Sequence, residues 1–229
     1  MTQVSEARRA LRLAHRGDWR RAPENSLAAL LAALEVPECD GLEFDVQLCG
    51  DGEPILLHDD TLARVQGRPG RADGLTADEL AGIGVPRLSD VLAAVPRSTF
   101  LDVELKGDPG TGIRAVVDVL EAGRGPELAR TVVSSFDPAA LERLAAIRPG
   151  WTRWLNTVGV SPATIARAVA LGCSAISVDW RAITPETAAA VHAAGLDLAA
   201  WTVRRRSTAA RLDRLGVVAL CVEAAALDG

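Results

Sequence analysis

One alternation runs the length of the chain. A short β-branched or two-residue-periodic run is followed by a turn, then by an Ala/Leu-rich amphipathic segment, and the pattern starts again. The runs predict strands at 11–15, 41–48, 99–106, 131–135, 152–157, 175–180, 197–203 and 217–222. The amphipathic segments predict helices at 25–34, 88–95, 112–122, 138–147, 161–171, 185–194 and 207–215. Asp137-Pro138, Ser161-Pro162 and Thr184-Pro185 each set a capping side chain before a proline suited to the first helical position. Gly172, Gly195 and Gly216 stand where C-terminal glycines belong. Strands alternating with helices make βα units and a mostly parallel sheet. Eight units in 229 residues average about 29 each, which suits a compact α/β chain folded as a (β/α)8 TIM barrel, typically about 250 residues. A doubly wound open sheet is the runner-up. After the last strand only residues 223–229 remain, so the eighth helix is short or missing, and residues 2–9 are available to cover that gap or plug the barrel floor. No composition break marks a linker, so residues 1–229 read as one domain. The longest irregular stretch is 59–87.

Two strands carry charges where a barrel interior is normally apolar. In Leu42-Glu43-Phe44-Asp45-Val46 the alternation sends the three apolar residues toward the helices and Glu43 and Asp45 inward. The third strand repeats this: Leu101, Val103 and Leu105 face out, while Asp102, Glu104 and Lys106 face in. Ionised groups there are costly unless paired or bound to metal. Glu43, Asp45 and Glu104 therefore form a candidate oxygen-rich site for a divalent metal, Mg²⁺ or Ca²⁺. The competing reading is a structural cluster in which Lys106 neutralises the carboxylates.

His15 ends the first strand, and His58 ends the apolar run that follows the second. Barrel active sites lie at the C-terminal ends of strands, so both are placed for acid–base work near neutral pH. A structural role for either alone stays open. His192, inside a helical segment, reads as structural. Arg16 offers a fork for phosphate oxygens and Lys106 a point charge. Metal, cations and two imidazoles in one place suit phosphoryl transfer.

Composition narrows the partners. Twenty-five Lys and Arg against 30 Asp and Glu give a net charge of −5, the wrong sign for a general nucleic-acid binder. Aromatics are 3% with no Tyr, which argues against a base-stacking platform. No run approaches the about 18 apolar residues of a transmembrane span, and the N-terminus lacks a signal-peptide core, so the default location is cytoplasmic. Cys39, Cys49, Cys173 and Cys221 are too scattered for a zinc site and read as small hydrophobes in a reducing compartment.

In order, His15-Arg16-Gly17, Pro23-Glu24-Asn25-Ser26, Glu43-Phe44-Asp45, His58-Asp59 and Glu104-Leu105-Lys106 resemble the motifs of the glycerophosphodiester phosphodiesterase family. Ser134-Ser135-Phe136-Asp137 and Trp201-Thr202-Val203 are similar to its downstream motifs. The resemblance implies a TIM barrel that hydrolyses glycerophosphodiesters, small-molecule substrates, to an alcohol and glycerol phosphate. It implies a divalent metal on Glu43, Asp45 and Glu104, an acid–base pair of His15 and His58, and phosphate contacts from Arg16 and Lys106. It also places Trp201 on the glycerol side of the pocket, puts Glu24 and Asn25 in the first βα loop, and has Glu24 orient the His-Arg turn. The chain departs from the family pattern at Asp102, where a neutral residue is frequent, at Arg204, where Asn is frequent, and at Val222-Glu223, where Thr-Asp is frequent. The run Arg204-Arg205-Arg206 reads as a solvated helix start, and the stretch after His58 looks short, which leaves the pocket open. The alternatives are a lysophospholipase-D-like or phospholipase-C-like enzyme acting on lipid phosphodiesters, favoured by an apolar rim, and an inactive barrel that binds glycerophosphodiesters.

Overall fold

The computed structural model describes residues 9–125, 128 and 130–229. The first half contains β1 (Leu11–His15), α1 (Leu27–Leu34), β2 (Gly41–Leu48), β3 (Pro54–Leu56), α2 (Ala63–Gln66), α3 (Ala77–Ala81), α4 (Leu88–Ala94), β4 (Phe100–Leu105) and α5 (Ile113–Arg124). The second contains β5 (Thr131–Ser135), α6 (Pro138–Ile147), β6 (Arg153–Thr157), α7 (Pro162–Ala170), β7 (Ala175–Asp179), α8 (Pro185–Ala193), β8 (Asp197–Val203), α9 (Arg206–Arg214) and β9 (Ala219–Val222). Eight parallel strands run β1-β9-β8-β7-β6-β5-β4-β2, and the β1–β2 pairing closes them into a barrel, with β3 antiparallel on β2. The (β/α)8 TIM barrel is therefore the architecture, and the closure rules out the open sheet. Past β9 there is a single three-residue helical turn, Ala224–Ala226, in place of an eighth helix. The 2–9 segment lies, but for Arg9, outside the described residues.

Local chemistry sets the helix starts. Asp137, Ser161 and Thr184 accept backbone N–H bonds at the first turns of α6, α7 and α8, each followed by proline. The first helix begins two residues later than the pattern suggests. Ser26 is its cap and Asn25 sits before it in the left-handed region at φ 56°, one of the few non-glycine residues that tolerates it. Trp180 leaves β7 and opens a helical turn. The stretch 59–87 is less irregular than its composition suggests. It carries α2 and α3, and with β3 and its flanks it closes over a small core of its own that includes Ile55, Leu57, Leu62 and Leu80.

The barrel interior is layered. Toward the N-terminal ends Leu13, Val132, Trp154, Ala175, Ala199 and Ala219 pack together, with Phe100 stacked on Trp154 at 6.2 Å. Gly41 is small there because a Cβ would sit 2.3 Å from the Phe100 carbonyl oxygen. Further along β2, β4, β5, β6 and β7 the lining turns polar: Glu43, Asp45, Asp102, Glu104, Ser134, Asn156 and Ser177. The apolar floor therefore supports a polar chamber at the C-terminal ends. Among the described residues no helix is long and apolar enough to cross a membrane.

Candidate active site

Glu43 and Asp45 lie on β2, and Glu104 lies beside Asp45 in register on β4. One carboxylate oxygen from each falls within 4.8 Å of the others. Asp45 is fully buried and well supported. It accepts from Asn25 Nδ2 at 2.8 Å, its backbone N–H donates to Asn25 Oδ1 at 3.2 Å, and Arg16 Nε stands 3.0 Å away. Lys106 Nζ lies 2.7 Å from Glu104 and 3.5 Å from Asp45. Burial pushes the Asp45 carboxyl up, but Arg16 and Lys106 outweigh it and hold the group below its ordinary value. Glu43 has no such support. Burial, then repulsion from Asp45 and Glu104, pushes it well above the carboxylate range. Glu43 Oε2 and Asp45 Oδ1 are buried without a hydrogen-bond partner. Lys106 thus neutralises part of the cluster and leaves oxygens unsatisfied. An all-oxygen, partly unpaired donor set fits a hard divalent cation.

Both histidines open onto one cavity of about 150 Å³, which Arg16, Glu43, Glu104, Lys106 and Trp201 also line. His15 Nδ1 lies 2.5 Å from Glu223 Oε1, and its Nε2 is 3.8 Å from Glu43 Oε2. Burial raises the Glu223 carboxyl, but His15 and Arg204 hold it below its ordinary value. An ionised carboxylate only accepts, so His15 Nδ1 carries the proton and Nε2 is left for the cavity. His58 repeats the device: Nδ1 is 2.6 Å from Asp59 Oδ1, and the Asp59 carboxyl is held low chiefly by Arg64, with His58 adding to it. His192 sits exposed in the last turn of α8, away from this cavity.

Three residues here had no role assigned from sequence: Asp59, Arg64 and Glu223. Glu223 follows β9 in the inward phase of Ala219 and Cys221, and Asp59 adjoins His58, so both signals were present. Arg64 was not readable, because its partners are set by the turn of 59–66. It donates to both Asp59 oxygens at 2.7 and 3.0 Å and to both Glu24 oxygens at 2.8 and 2.7 Å. Glu24 also accepts from Arg16 at 2.9 Å. One guanidinium thus ties the carboxylate behind His58 to the carboxylate behind Arg16. Arg64→Ala is expected to lower turnover about tenfold, the lower end of the loss when such supporting partners are removed, with Arg64→Lys recovering part of it. Burial raises the Glu24 carboxyl, yet Arg64 and Arg16 bring it down to about 2 from an ordinary 4.5. The stability this carries is full above pH 4.5 and lost as pH falls toward 2. The melting temperatures of wild type and Arg64→Ala should therefore differ at pH 7, and the difference should narrow as pH falls from 4.5 toward 2. Unchanged turnover in Arg64→Ala would remove the residue from the site.

A family model described as the glycerophosphoryl diester phosphodiesterase family matches residues 15–227. The chain belongs to this family. A glycerophosphodiester phosphodiesterase of Caldanaerobacter subterraneus is 27% identical over 227 residues, covering 91% of this chain and 92% of the relative. A solved phosphodiesterase of Oleispira antarctica, in complex with its product sn-glycerol-3-phosphate, superposes with a TM-score of 0.83 at 28% identity, covering 93% of this chain and 92% of that one. The glycerophosphodiester phosphodiesterase of Thermotoga maritima, 22% identical over 96% of each chain, shares the fold with a TM-score of 0.78. As a member of the glycerophosphodiester phosphodiesterase family, the protein is a phosphoric diester hydrolase.

The places where this chain departs from the family pattern have local explanations. Asp102 is in register with Glu43, one inward position before Glu104 on β4, accepts from Ser134 at 2.6 Å, and is raised by burial to about 7. Arg204 is not simply solvated: its Nε donates to Glu223 at 2.7 Å, so a longer carboxylate just after β9 and an arginine just after β8 occur as a pair. Trp201 Nε1 donates to the Ser177 carbonyl at 3.1 Å, and the ring meets Phe136 edge-on at 5.4 Å, which fixes the indole in the cavity wall.

Proposed function

We propose that residues 1–229 act as one catalytic domain that hydrolyses glycerophosphodiesters to an alcohol and glycerol phosphate. The reading rests on one observation: two carboxylate-backed imidazoles, two cations and the carboxylates of Glu43 and Glu104 open into the same small cavity, with Asp45 buried behind them in the same cluster. Glu43, Asp45 and Glu104 would hold Mg²⁺ or Ca²⁺. Such a cation supplies Lewis-acid polarisation of phosphoryl oxygen. Arg16 and Lys106 bind the remaining phosphate charge, and Asn25 and Glu24 keep Asp45 and Arg16 aimed at it. One histidine accepts the proton of the attacking hydroxyl and the other gives a proton to the departing alkoxide. The P–O bond to the alcohol breaks as the new P–O bond forms, and no external acid or base is consumed. The substrate is a small molecule taken up in the cytoplasm, with no nucleic-acid partner. Trp201 forms the glycerol wall.

A specific feature supports a second reading. Phe136, Val158 and Trp19 follow β5, β6 and β1 on the mouth side and are 45%, 72% and 44% exposed. Such a rim suits the alkyl chain of a lysophospholipid. The test is to incubate the protein with Mg²⁺ or Ca²⁺ and a panel of glycerophosphodiesters and lysolipids, then weigh the products. Release of alcohol and glycerol phosphate is expected, with loss of activity in chelator and recovery on adding the ion. Glu43→Gln should weaken both ion binding and turnover. Full activity in excess chelator would rule out the metal. Binding without turnover, with the ion present, would leave an inactive barrel.

A further inference from the structure

A second cavity, of about 330 Å³, lies beside the catalytic one, and Thr202 lines both. Its other walls are Trp180, Arg181, Arg204, Arg205 and Thr208. These residues follow β7 and β8, so it opens on the same face as the active site. Three guanidiniums border it and two carboxylates answer them. Arg181 Nη1 is 3.2 Å from Asp179, and Arg204 Nε is 2.7 Å from Glu223. The Arg205 side chain makes no hydrogen bond or ion pair among the described residues. The terminal nitrogens of Arg204 have no partner there either, since its one bond uses Nε. Trp180 is held in place: Arg181 lies 4.8 Å and Arg211 5.7 Å from its ring centroid, and Arg211 is itself tied to the carbonyls of Ile183 and Trp180 at 2.8 and 3.1 Å.

This is a surplus of positive charge in a chain of net charge −5. The scissile phosphate does not need it, since Arg16 and Lys106 already stand in the catalytic cavity. Guanidiniums that share one cavity repel each other, and free guanidinium forks match phosphate oxygens. In barrels of this type the loops after the seventh and eighth strands frequently bind phosphate, and β8 is the seventh strand of this one.

We propose that this cavity is an anion subsite for a second phosphate on the substrate. Resting on the diester-hydrolase reading above, it makes the favoured substrates glycerophosphodiesters with a further phosphate one short polyol away from the scissile one. Arg205 supplies free donors and Arg181 adds positive charge at the wall, and the cavity wall at Thr202 is where the substrate passes between the two chambers. Arg204 links the subsite to Glu223 and so to His15.

The test compares glycerophosphoglycerol, with one phosphate, and bis(glycerophospho)glycerol, which adds a second to the same polyol. The wild type should show kcat/KM about tenfold or more higher for the two-phosphate diester, the factor equivalent to one charge-assisted hydrogen bond. The Arg181→Ala/Arg205→Ala double variant should lose that preference through KM while its one-phosphate kinetics stay unchanged, and Arg205→Lys should retain part. Equal kcat/KM for the two diesters in the wild type, or an unaltered preference in the double variant, overturns the subsite and leaves the hydrolase reading standing. If neither diester is cleaved, the hydrolase reading fails. Calorimetric titration then decides the subsite on its own: about tenfold tighter binding of the two-phosphate diester, lost in the double variant, sustains it, and equal binding overturns it. Arg205-dependent sedimentation with phosphatidylglycerol vesicles, without discrimination between the diesters, overturns it in favour of a lipid surface.

Discussion

His15→Ala and His58→Ala should each lower kcat about 10²–10⁴-fold, the usual worth of a positioned general acid or base, while the barrel's circular dichroism is retained. Both rings are oriented by an ionised carboxylate on Nδ1, Glu223 for His15 and Asp59 for His58. That carboxylate sets the tautomer, leaves Nε2 for the substrate, and stabilises the imidazolium once a proton has been accepted. Glu223→Gln and Asp59→Asn keep the shape but can present the wrong partner to Nδ1, so turnover should fall in these variants with little change in KM. His192→Ala, exposed on α8, serves as the neutral control. Near-normal turnover in His58→Ala would take His58 out of the mechanism and leave a single histidine to handle both protons.

The inward placement of Glu43, Asp45, Glu104 and Lys106 was readable because strand alternation is a local rule with a period of two, and a closed barrel has only one interior. The capped starts of α6, α7 and α8 were readable for the same reason, since each cap acts within three residues. What alternation does not convey is the partner across the barrel. His15 and Glu223 are 208 positions apart and meet only because β1 pairs with β9. Arg64 binds Glu24 from 40 positions away through a helix of four residues, too short to show a helical period. The start of α1 was misplaced because Asn25 is used for its tolerance of a left-handed backbone and for its side-chain bonds to Asp45, neither of which shows in hydrophobic patterning. The stretch 59–87 shows no period because its elements span three to five residues, below the length at which periodicity separates helix from loop. The tie of Arg204 to Glu223 is not legible in the run Arg204-Arg205-Arg206 because the partner stands at the end of another strand.

A glycerophosphodiester that lacks the hydroxyl next to its phosphoester should be a very poor substrate, with the loss in kcat rather than in KM. Among the residues lining the catalytic cavity, Ser177 and Thr202 are the hydroxyl side chains. Among the described residues neither has a hydrogen bond to His15 or His58, whose ring nitrogens meet Glu223 and Asp59, so neither shows the activation expected of an enzyme nucleophile. The attacking oxygen is then either water or the substrate's own hydroxyl. The internal hydroxyl is already tethered, and intramolecular attack gains a large effective molarity, up to about 10⁵–10⁸ M in well-oriented cases. One imidazole would take that hydroxyl's proton and the other would protonate the leaving alcohol. The product of this step is a cyclic phosphate, which water opens with the two histidines in exchanged roles. Removing the hydroxyl deletes the nucleophile and leaves the phosphate contacts of Arg16 and Lys106 in place, which is why binding should survive while turnover does not. The comparison is turnover at saturating concentrations of the native diester and its deoxy analogue, with mass detection of a cyclic intermediate in the native reaction. Equal rates would discard internal attack and make water the nucleophile.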